Sequence, residues 1–231
     1  MYIITGGAGF IGSNIVWALE RLDLGKIVVC DNLNDGNKWC NIAKRDLWDV
    51  ITPDCLFEYL EDNSNNIEAV IHMGAISSTT ETDVDLIIDS NFRLSIDIWE
   101  WCADHQVRLI YASSAATYGD GSNGFDDDGS IEALSTLRPL NAYGWSKNLF
   151  DRRIAKILHA NEPRPPQWVG LKFFNVYGPN EYHKGRMRSV VSQVFPNALD
   201  GTASKLFKSH NSDYENGGQL RDFIWIDDCI D

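Results

Sequence analysis

Short runs of aliphatic and β-branched residues alternate along the chain with longer stretches whose apolar residues recur every three or four positions. The runs Tyr2–Thr5, Lys26–Cys30, Ala69–His72, Arg108–Ala112 and Trp168–Phe174 are nearly continuous in apolar character, as strands buried on both faces are. Phe10–Leu22, Asp85–Ala103 and Ala142–His159 carry the step of amphipathic helices. Strand and helix in alternation predict repeated βαβ units with right-handed crossovers, hence a doubly wound parallel sheet of the α/β class. The stretch from Asn161 to Pro166, with three prolines, is a turn within this plan. The loop from Asp120 to Ser130, with Asp126-Asp127-Asp128, is a solvated surface segment.

After Gly178 the alternation fades and polar loops dominate, with residues 211–218 rich in glycine. The pattern divides into a sheet domain over residues 1–174 and a smaller substrate lobe over 175–231, interleaved with the first and covering the sheet's carboxyl edge. The chain stops at Asp231 inside a strand-to-helix transition, Phe223-Ile224-Trp225-Ile226-Asp227-Asp228. Domains rarely end at such a place, so a truncated chain with an incomplete lobe is expected.

The 231 residues are 44% hydrophobic, enough for a sizeable core, and carry 20 Lys and Arg against 33 Asp and Glu, a formal charge of −13. That field repels phosphate backbones and anionic bilayers, so neither nucleic acid nor a membrane is an expected partner. No run approaches the roughly 18 apolar residues of a membrane span, and the start lacks the pattern of a signal peptide. A cytoplasmic location is expected. Cys30, Cys40, Cys55, Cys102 and Cys229 are odd in number and fit no ligand spacing; they are read as reduced packing residues. The five histidines are scattered, and no metal site is expected.

Tyr2–Thr5 runs directly into Gly6-Gly7-Ala8-Gly9-Phe10-Ile11-Gly12 and then a helix, the context that a dinucleotide fingerprint requires. Gly6 would permit the tight turn, Gly9 the approach of a pyrophosphate, and Gly12 close packing of helix on strand. Asp31, nineteen positions after Gly12, falls at the end of the second strand, where a carboxylate meets the adenosine ribose. These features predict a Rossmann-type fold with a nicotinamide dinucleotide. Asp31 suits a free 2′-hydroxyl, whereas Lys38 could neutralise a 2′-phosphate, so NADP is the expected cofactor with NAD the alternative.

Ser113-Ser114-Ala115-Ala116 follows the fourth of these strands, and Tyr143 and Lys147 stand four apart at the start of a helix and so share one face. An ammonium close to the phenol would lower the phenol's pKa. Ser114 could hydrogen-bond the substrate oxygen that changes between alcohol and ketone.

The fingerprint, Ser114 and Tyr143-x-x-x-Lys147 resemble the extended short-chain dehydrogenase/reductase superfamily. Gly7 to Asn14, Asp31 to Lys38, Gly74 to Glu81 and Phe174 to Gly185 resemble, within it, the ADP-L-glycero-D-manno-heptose 6-epimerase family, and the likeness spans essentially the whole chain. It implies an isomerase that inverts C6″ of an ADP-heptose in lipopolysaccharide inner-core precursor synthesis, acting as a homo-oligomer, a pentamer on the family pattern. It implies NADP contacts from Phe10, Ile11, Asp31, Asn32, Lys38, Ala75, Ile76, Ser77, Ser78, Asn91, Lys147, Val176 and Lys184, and an ADP-sugar site lined by Ser114, Asn175, Arg186, Gln193, Phe207 and Arg221. There are departures: the family usually has His at Gln193, Glu at Met73 and Lys at Pro53, the last weakening the expectation of NADP.

Inverting an unactivated secondary alcohol requires removing a hydride and returning it to the other face, so two acid/base groups are needed on opposite sides. The resemblance assigns these roles to Tyr143 and Lys184. The alternatives are another nucleotide-sugar epimerase or dehydratase of the superfamily, or a non-catalytic dinucleotide-binding fragment. Against a dehydratase, Ala115-Ala116 supply no carboxylate where such enzymes carry one.

Overall fold

The computed structural model describes residues 1–34, 36–210 and 212–231. Strands β1 (Tyr2–Thr5), β2 (Ile27–Cys30), β3 (Asp49–Ile51), β4 (Ala69–His72), β5 (Arg108–Ser114) and β6 (Trp168–Phe173) form one parallel sheet in the order β3-β2-β1-β4-β5-β6. Chain order reverses between β1 and β4, and the crevice outside their carboxyl ends is where such sheets bind ligands.

Adjacent strand residues point to opposite faces, and the core divides accordingly. Ile3, Val28, Val70 and Leu109 pack on one face with α2 (Leu56–Asn63), α4 (Leu94–Asp104) and α6 (Ala142–His159) through Leu60, Ile98, Trp99, Phe150 and Ile154. Ile4, Val29 and Ile71 pack on the other with Val16 of α1 (Phe10–Arg21). The expected double winding is therefore present. Among the described residues no helix is long and apolar enough to cross a membrane.

Several elements differ from the sequence pattern. The single helix expected over Asp85–Ala103 is α3 (Val84–Ile88), a π turn at Asp89–Arg93, and α4. One extra residue in that turn does not disturb an apolar periodicity averaged over twenty positions. Strand β3, with two exposed residues of three, and the short helices α2 and α5 (Ile131–Thr136) went unanticipated, because the first has no apolar run and the others span one or two turns. Cys30 and Cys102 are buried as expected and burial pushes both thiols up to about 12, but Cys40 and Cys55 are exposed and so are not packing residues.

Residues after Phe174 form a two-stranded parallel sheet from β7 (Asn175–Tyr177) and β8 (Phe223–Trp225), with α7 (Val190–Leu199) between them and α8 (Ile226–Ile230) at the end. Ile226 of α8 is fully buried, and a Cβ on Gly178 would lie 2.4 Å from its Cγ2. The expected strand-to-helix transition at 223–228 is thus where this lobe docks. Of residues 211–218, position 211 lies outside the described residues.

Candidate active site

The sheet's reversal point is closed by glycine. Gly6 has a φ of +65°, and a Cβ there would stand 2.7 Å from the Gly74 backbone at the end of β4. A Cβ on Gly12 would lie 2.3 Å from the Gly6 carbonyl oxygen, so the first turn of α1 sits directly on the turn that precedes it. Helix α1 has Gly9 at its N-cap, no side-chain cap and no acidic residue in its first turn. Its leading amides and positive dipole end are thereby left for an anion, which fits a pyrophosphate at this point.

Asp31 lies at the carboxyl end of β2, nearly buried. One of its oxygens accepts the Ala8 amide at 2.9 Å and the other accepts the Lys38 ammonium at 2.5 Å. The pair brings together the two residues singled out for the adenosine end, and it leaves that end with little net charge. Lys38 also reaches the Asn32 carbonyl at 3.4 Å; Asp35, within the same stretch, lies outside the described residues. Pro53 begins a 3₁₀ turn and supplies no charge here.

Across the crevice, Ala75 to Ser78 follow β4, with Ser77 exposed and its neighbours half-buried. The Asn91 amide clamps this loop: its oxygen accepts the Ile76 amide at 2.8 Å, and its nitrogen donates to the Ile76 carbonyl at 3.0 Å and the Ser146 hydroxyl at 3.1 Å. Asn91 is fully buried, and these bonds make it a support for the loop.

On α6, Tyr143 is half-buried, with Ser114 close enough to act on its hydroxyl. The expected lowering of its pKa is absent. Burial raises it, with Ser114 opposing that only in part, and the Lys147 ammonium is directed elsewhere, to the Ala112 carbonyl at 2.7 Å. Burial lowers Lys147 to about 8, against an opposing pull from Asp151. Asp151, one turn beyond Lys147 on the same face, was not anticipated. Its Oδ2 accepts the Ser113 hydroxyl at 2.7 Å and the Lys172 ammonium at 2.6 Å, and Lys172 also donates to Thr117, whose hydroxyl donates to the Ser114 carbonyl at 2.8 Å. The four-residue step from Lys147 to Asp151 was the available signal; Lys172, from a different strand, left none.

The segment after β7 is tied down on the glycine turn. Asn41 donates to the Ala8 and Asn180 carbonyls at 2.9 and 3.1 Å and contacts His183 Nδ1 at 3.1 Å; Asn14 donates to the Pro179 carbonyl and Asn180 to the Ser13 hydroxyl. Glu181, 1% exposed, accepts the Ser189 amide and hydroxyl at 2.6 and 2.7 Å. These bonds seat Lys184 with its ammonium 5.6 Å from the centre of the Phe10 ring, and desolvation lowers its pKa. Lys184 is thus placed at the start of α1, without a hydrogen bond to Tyr143, Ser114 or Lys147 among the described residues.

The remaining candidates stand apart. Asn175 is exposed and donates to the Asp222 carbonyl at 3.0 Å, and Val176 is half-buried in β7. Gln193 donates to the Arg188 carbonyl at 2.8 Å, Arg221 to the neighbouring Leu220 carbonyl, Arg186 is exposed, and Phe207 is 76% exposed. Gln193 also reaches the Arg186 carbonyl at 3.4 Å, which brings two of these residues together.

The model of the NAD dependent epimerase/dehydratase family matches residues 2–231. The chain belongs to that family. An ADP-L-glycero-D-manno-heptose-6-epimerase of Fusobacterium nucleatum is 49% identical over an alignment covering 100% of this chain and 69% of the relative; one from Nitratidesulfovibrio vulgaris is 46% identical, covering 100% and 70%. Among solved structures, the Helicobacter pylori ADP-L-glycero-D-manno-heptose-6-epimerase aligns with a TM-score of 0.77 at 30% identity, over 99% of this chain and 70% of that one. A UDP-glucuronic acid 4-epimerase of Bacillus cereus, solved in complex with UDP-glucuronic acid and NAD, aligns at 0.75 and 26% identity over the same shares. The family name and these neighbours establish a nicotinamide dinucleotide as the cofactor, which the glycine cradle and Asp31 fit.

Proposed function

We propose that the chain epimerises ADP-D-glycero-D-manno-heptose to ADP-L-glycero-D-manno-heptose at C6″ through a transient ketone. The observation that carries this is the identity of 43 to 49% to curated enzymes of that name across all of this chain, against 26% to the UDP-glucuronic acid epimerase. The bound nicotinamide supplies the acceptor and donor of one hydride. Ser114 holds the reacting oxygen, and Tyr143, beside it, takes the proton from one epimer's hydroxyl. Lys147, through the Ala112 carbonyl, keeps an ammonium beneath the site. Lys184 serves the opposite face; its depressed pKa suits it to accept a proton.

NADP is the proposed form of the cofactor. The Asp31 carboxylate alone would repel a 2′-phosphate, and its pairing with the partly exposed Lys38 ammonium offsets that repulsion and keeps a donor at the rim. The division at residue 174 and the homo-oligomer implied by the family resemblance are carried with this reading, the second checked by light scattering. The reading itself is tested by incubating the protein with ADP-D-glycero-D-manno-heptose and, separately, UDP-glucuronic acid, following each by NMR. Conversion of the first to its C6″ epimer is expected, and conversion of the second alone would overturn the assignment.

A further inference from the structure

Five buried polar side chains that are not neighbours in sequence form a continuous line behind the crevice. Thr5, His72, Asn91, Ser95 and Ser146 are each no more than 3% exposed. A polar group buried this deeply is expensive unless it is bonded, so the direction of every proton along the line can be worked out.

Ser95 is the fixed point. Its hydroxyl lies 2.8 Å from the Asn91 carbonyl, which can only accept, so Ser95 donates its single proton there. His72 Nε2, 2.9 Å from the same hydroxyl oxygen, must then donate to it. A neutral imidazole has one N–H, so Nδ1 is bare and accepts the Thr5 hydroxyl at 2.6 Å. The Thr5 oxygen in turn accepts the Gly74 amide at 3.1 Å. The opposite tautomer would aim two donors at Thr5 and leave Nε2 and the Asn91 carbonyl competing for one Ser95 proton. Beyond Asn91, its side chain clamps Ile76 and donates to the Ser146 hydroxyl, which donates to the Tyr143 carbonyl at 2.7 Å.

We infer that His72 is a positioning residue: as the Nε2–H tautomer it holds a one-way chain of hydrogen bonds that joins the glycine turns and loop of the cofactor crevice to the first turn of the helix bearing Tyr143. The chain starts at Gly74, whose backbone faces Gly6, and ends at the backbone of Tyr143 itself. The π turn at Asp89–Arg93 contributes both the Asn91 side chain and the carbonyl that fixes the direction. A second proton on His72 would meet the Thr5 hydroxyl head on; burial, with the nearby Lys147 charge, lowers the imidazole to about 3 and keeps that proton off. The consequence is geometric: cofactor loop and phenol share one rigid support, so disturbing the middle of the chain is felt at both ends. This rests on the reading of Tyr143 as the acid/base group.

The test uses the whole protein with and without NADP⁺. Long-range proton–nitrogen NMR on histidine-labelled protein is expected to show His72 with a protonated Nε2 and a bare Nδ1, unchanged between about pH 5 and 8, where an ordinary histidine titrates. An Nδ1–H tautomer, or titration in that window, overturns the inference. Thr5→Val keeps the shape but removes one hydroxyl, and is expected to weaken NADP⁺ binding and slow hydride transfer each by about tenfold, with Thr5→Ser restoring both. A Thr5→Val protein that is less stable but binds and transfers like the parent would make the chain merely structural. Should Thr5→Val not fold, Ser95→Ala, which strips the acceptor from Nε2, is read in the same two assays. Tautomer and NADP⁺ affinity are measured without turnover, so a correct tautomer in a protein that leaves ADP-heptose unchanged would count against the proposed function and not against the chain.

Discussion

The crevice along the sheet and the lobe that begins at β7 both carry candidate residues but hold them differently. In the crevice, Asp31, Asn91 and Lys147 are buried and fixed by bonds to groups far away in sequence, such as Ala8 to Asp31 and Lys147 to Ala112. In the lobe, Arg186, Gln193, Phe207 and Arg221 are exposed and touch backbone within a few residues or nothing polar. Only the stretch from Gly178 to Ser189, tied to the glycine turn through Asn41, Asn14 and Glu181, shares the first region's character. Cofactor geometry is therefore built into the fold before any ligand arrives, as transition-state stabilisation requires. The side chains proposed to meet the sugar nucleotide are held by fewer bonds.

The largest expected effect is in the first region. Tyr143→Phe should cut epimerisation by roughly 10²–10⁴-fold while cofactor affinity stays near the parent value. A variant that keeps more than half of the parent turnover would remove the phenol from the mechanism.

Lys184→Met asks whether the tied-down part of the lobe takes part in chemistry. Epimerisation from both epimers should fall by roughly 10²-fold, because every round trip uses both bases, while transient cofactor reduction by a substrate processed through Tyr143 survives. Near-parental epimerisation in both directions would reduce Lys184 to a neighbour of Phe10.

Next comes the adenosine end. Lys38→Ala should weaken NADP⁺ binding by about 1.5–3 kcal/mol and NAD⁺ binding far less, measured by calorimetry. Equal losses for the two cofactors would mean that Lys38 serves only to neutralise Asp31.

Lys147 gives a smaller, graded effect. Burial holds it at about 8, below the 10.5 of an ordinary lysine, so its ammonium is lost as pH rises through about 8. Turnover limited by that charge should fall about tenfold per pH unit above this point. The same shift has the opposite sign for stability: between about 8 and 10.5 the unfolded chain binds the extra proton, so this group's contribution to stability rises with pH. Asp151→Asn removes a charge that holds the value up and should move the turnover limb to lower pH.

The smallest effect marks the other side of the comparison. Phe207→Ala, at a side chain 76% exposed, should change unfolding free energy by less than about 0.5 kcal/mol while raising KM for the sugar nucleotide. A large loss of stability would show that Phe207 is packed in solution.

The same contrast governs how much could be read without a structure. The glycine turn, Asp31 and the Tyr143 to Lys147 step were legible because each is a local pattern whose chemistry follows from spacing along one strand or helix. The sheet was legible from its apolar runs, with β3 missed because an edge strand with two exposed residues has no run to show. What escaped was set by contact across the fold. Nothing in the sequence shows that Asn91 clamps Ile76, and nothing near Lys172 in sequence points to Asp151. The expected electrostatic partnership of Lys147 with the phenol failed for a related reason: helical spacing places two side chains on one face but does not settle which acceptor a buried ammonium finds. In the lobe, pattern and structure are alike in showing few constraints, since exposed residues follow no periodicity.

The central claim is that one hydride leaves C6″ and returns to the same carbon from a cofactor fixed in the crevice. ADP-D-glycero-D-manno-heptose deuterated at C6″, incubated in ordinary water with the protein holding its cofactor, tests it most directly when the product is examined by NMR and mass spectrometry. The account predicts an inverted product that keeps its deuterium at C6″. A product inverted with hydrogen from water at that carbon would contradict it, since inversion would then proceed by removal of a proton and not of a hydride.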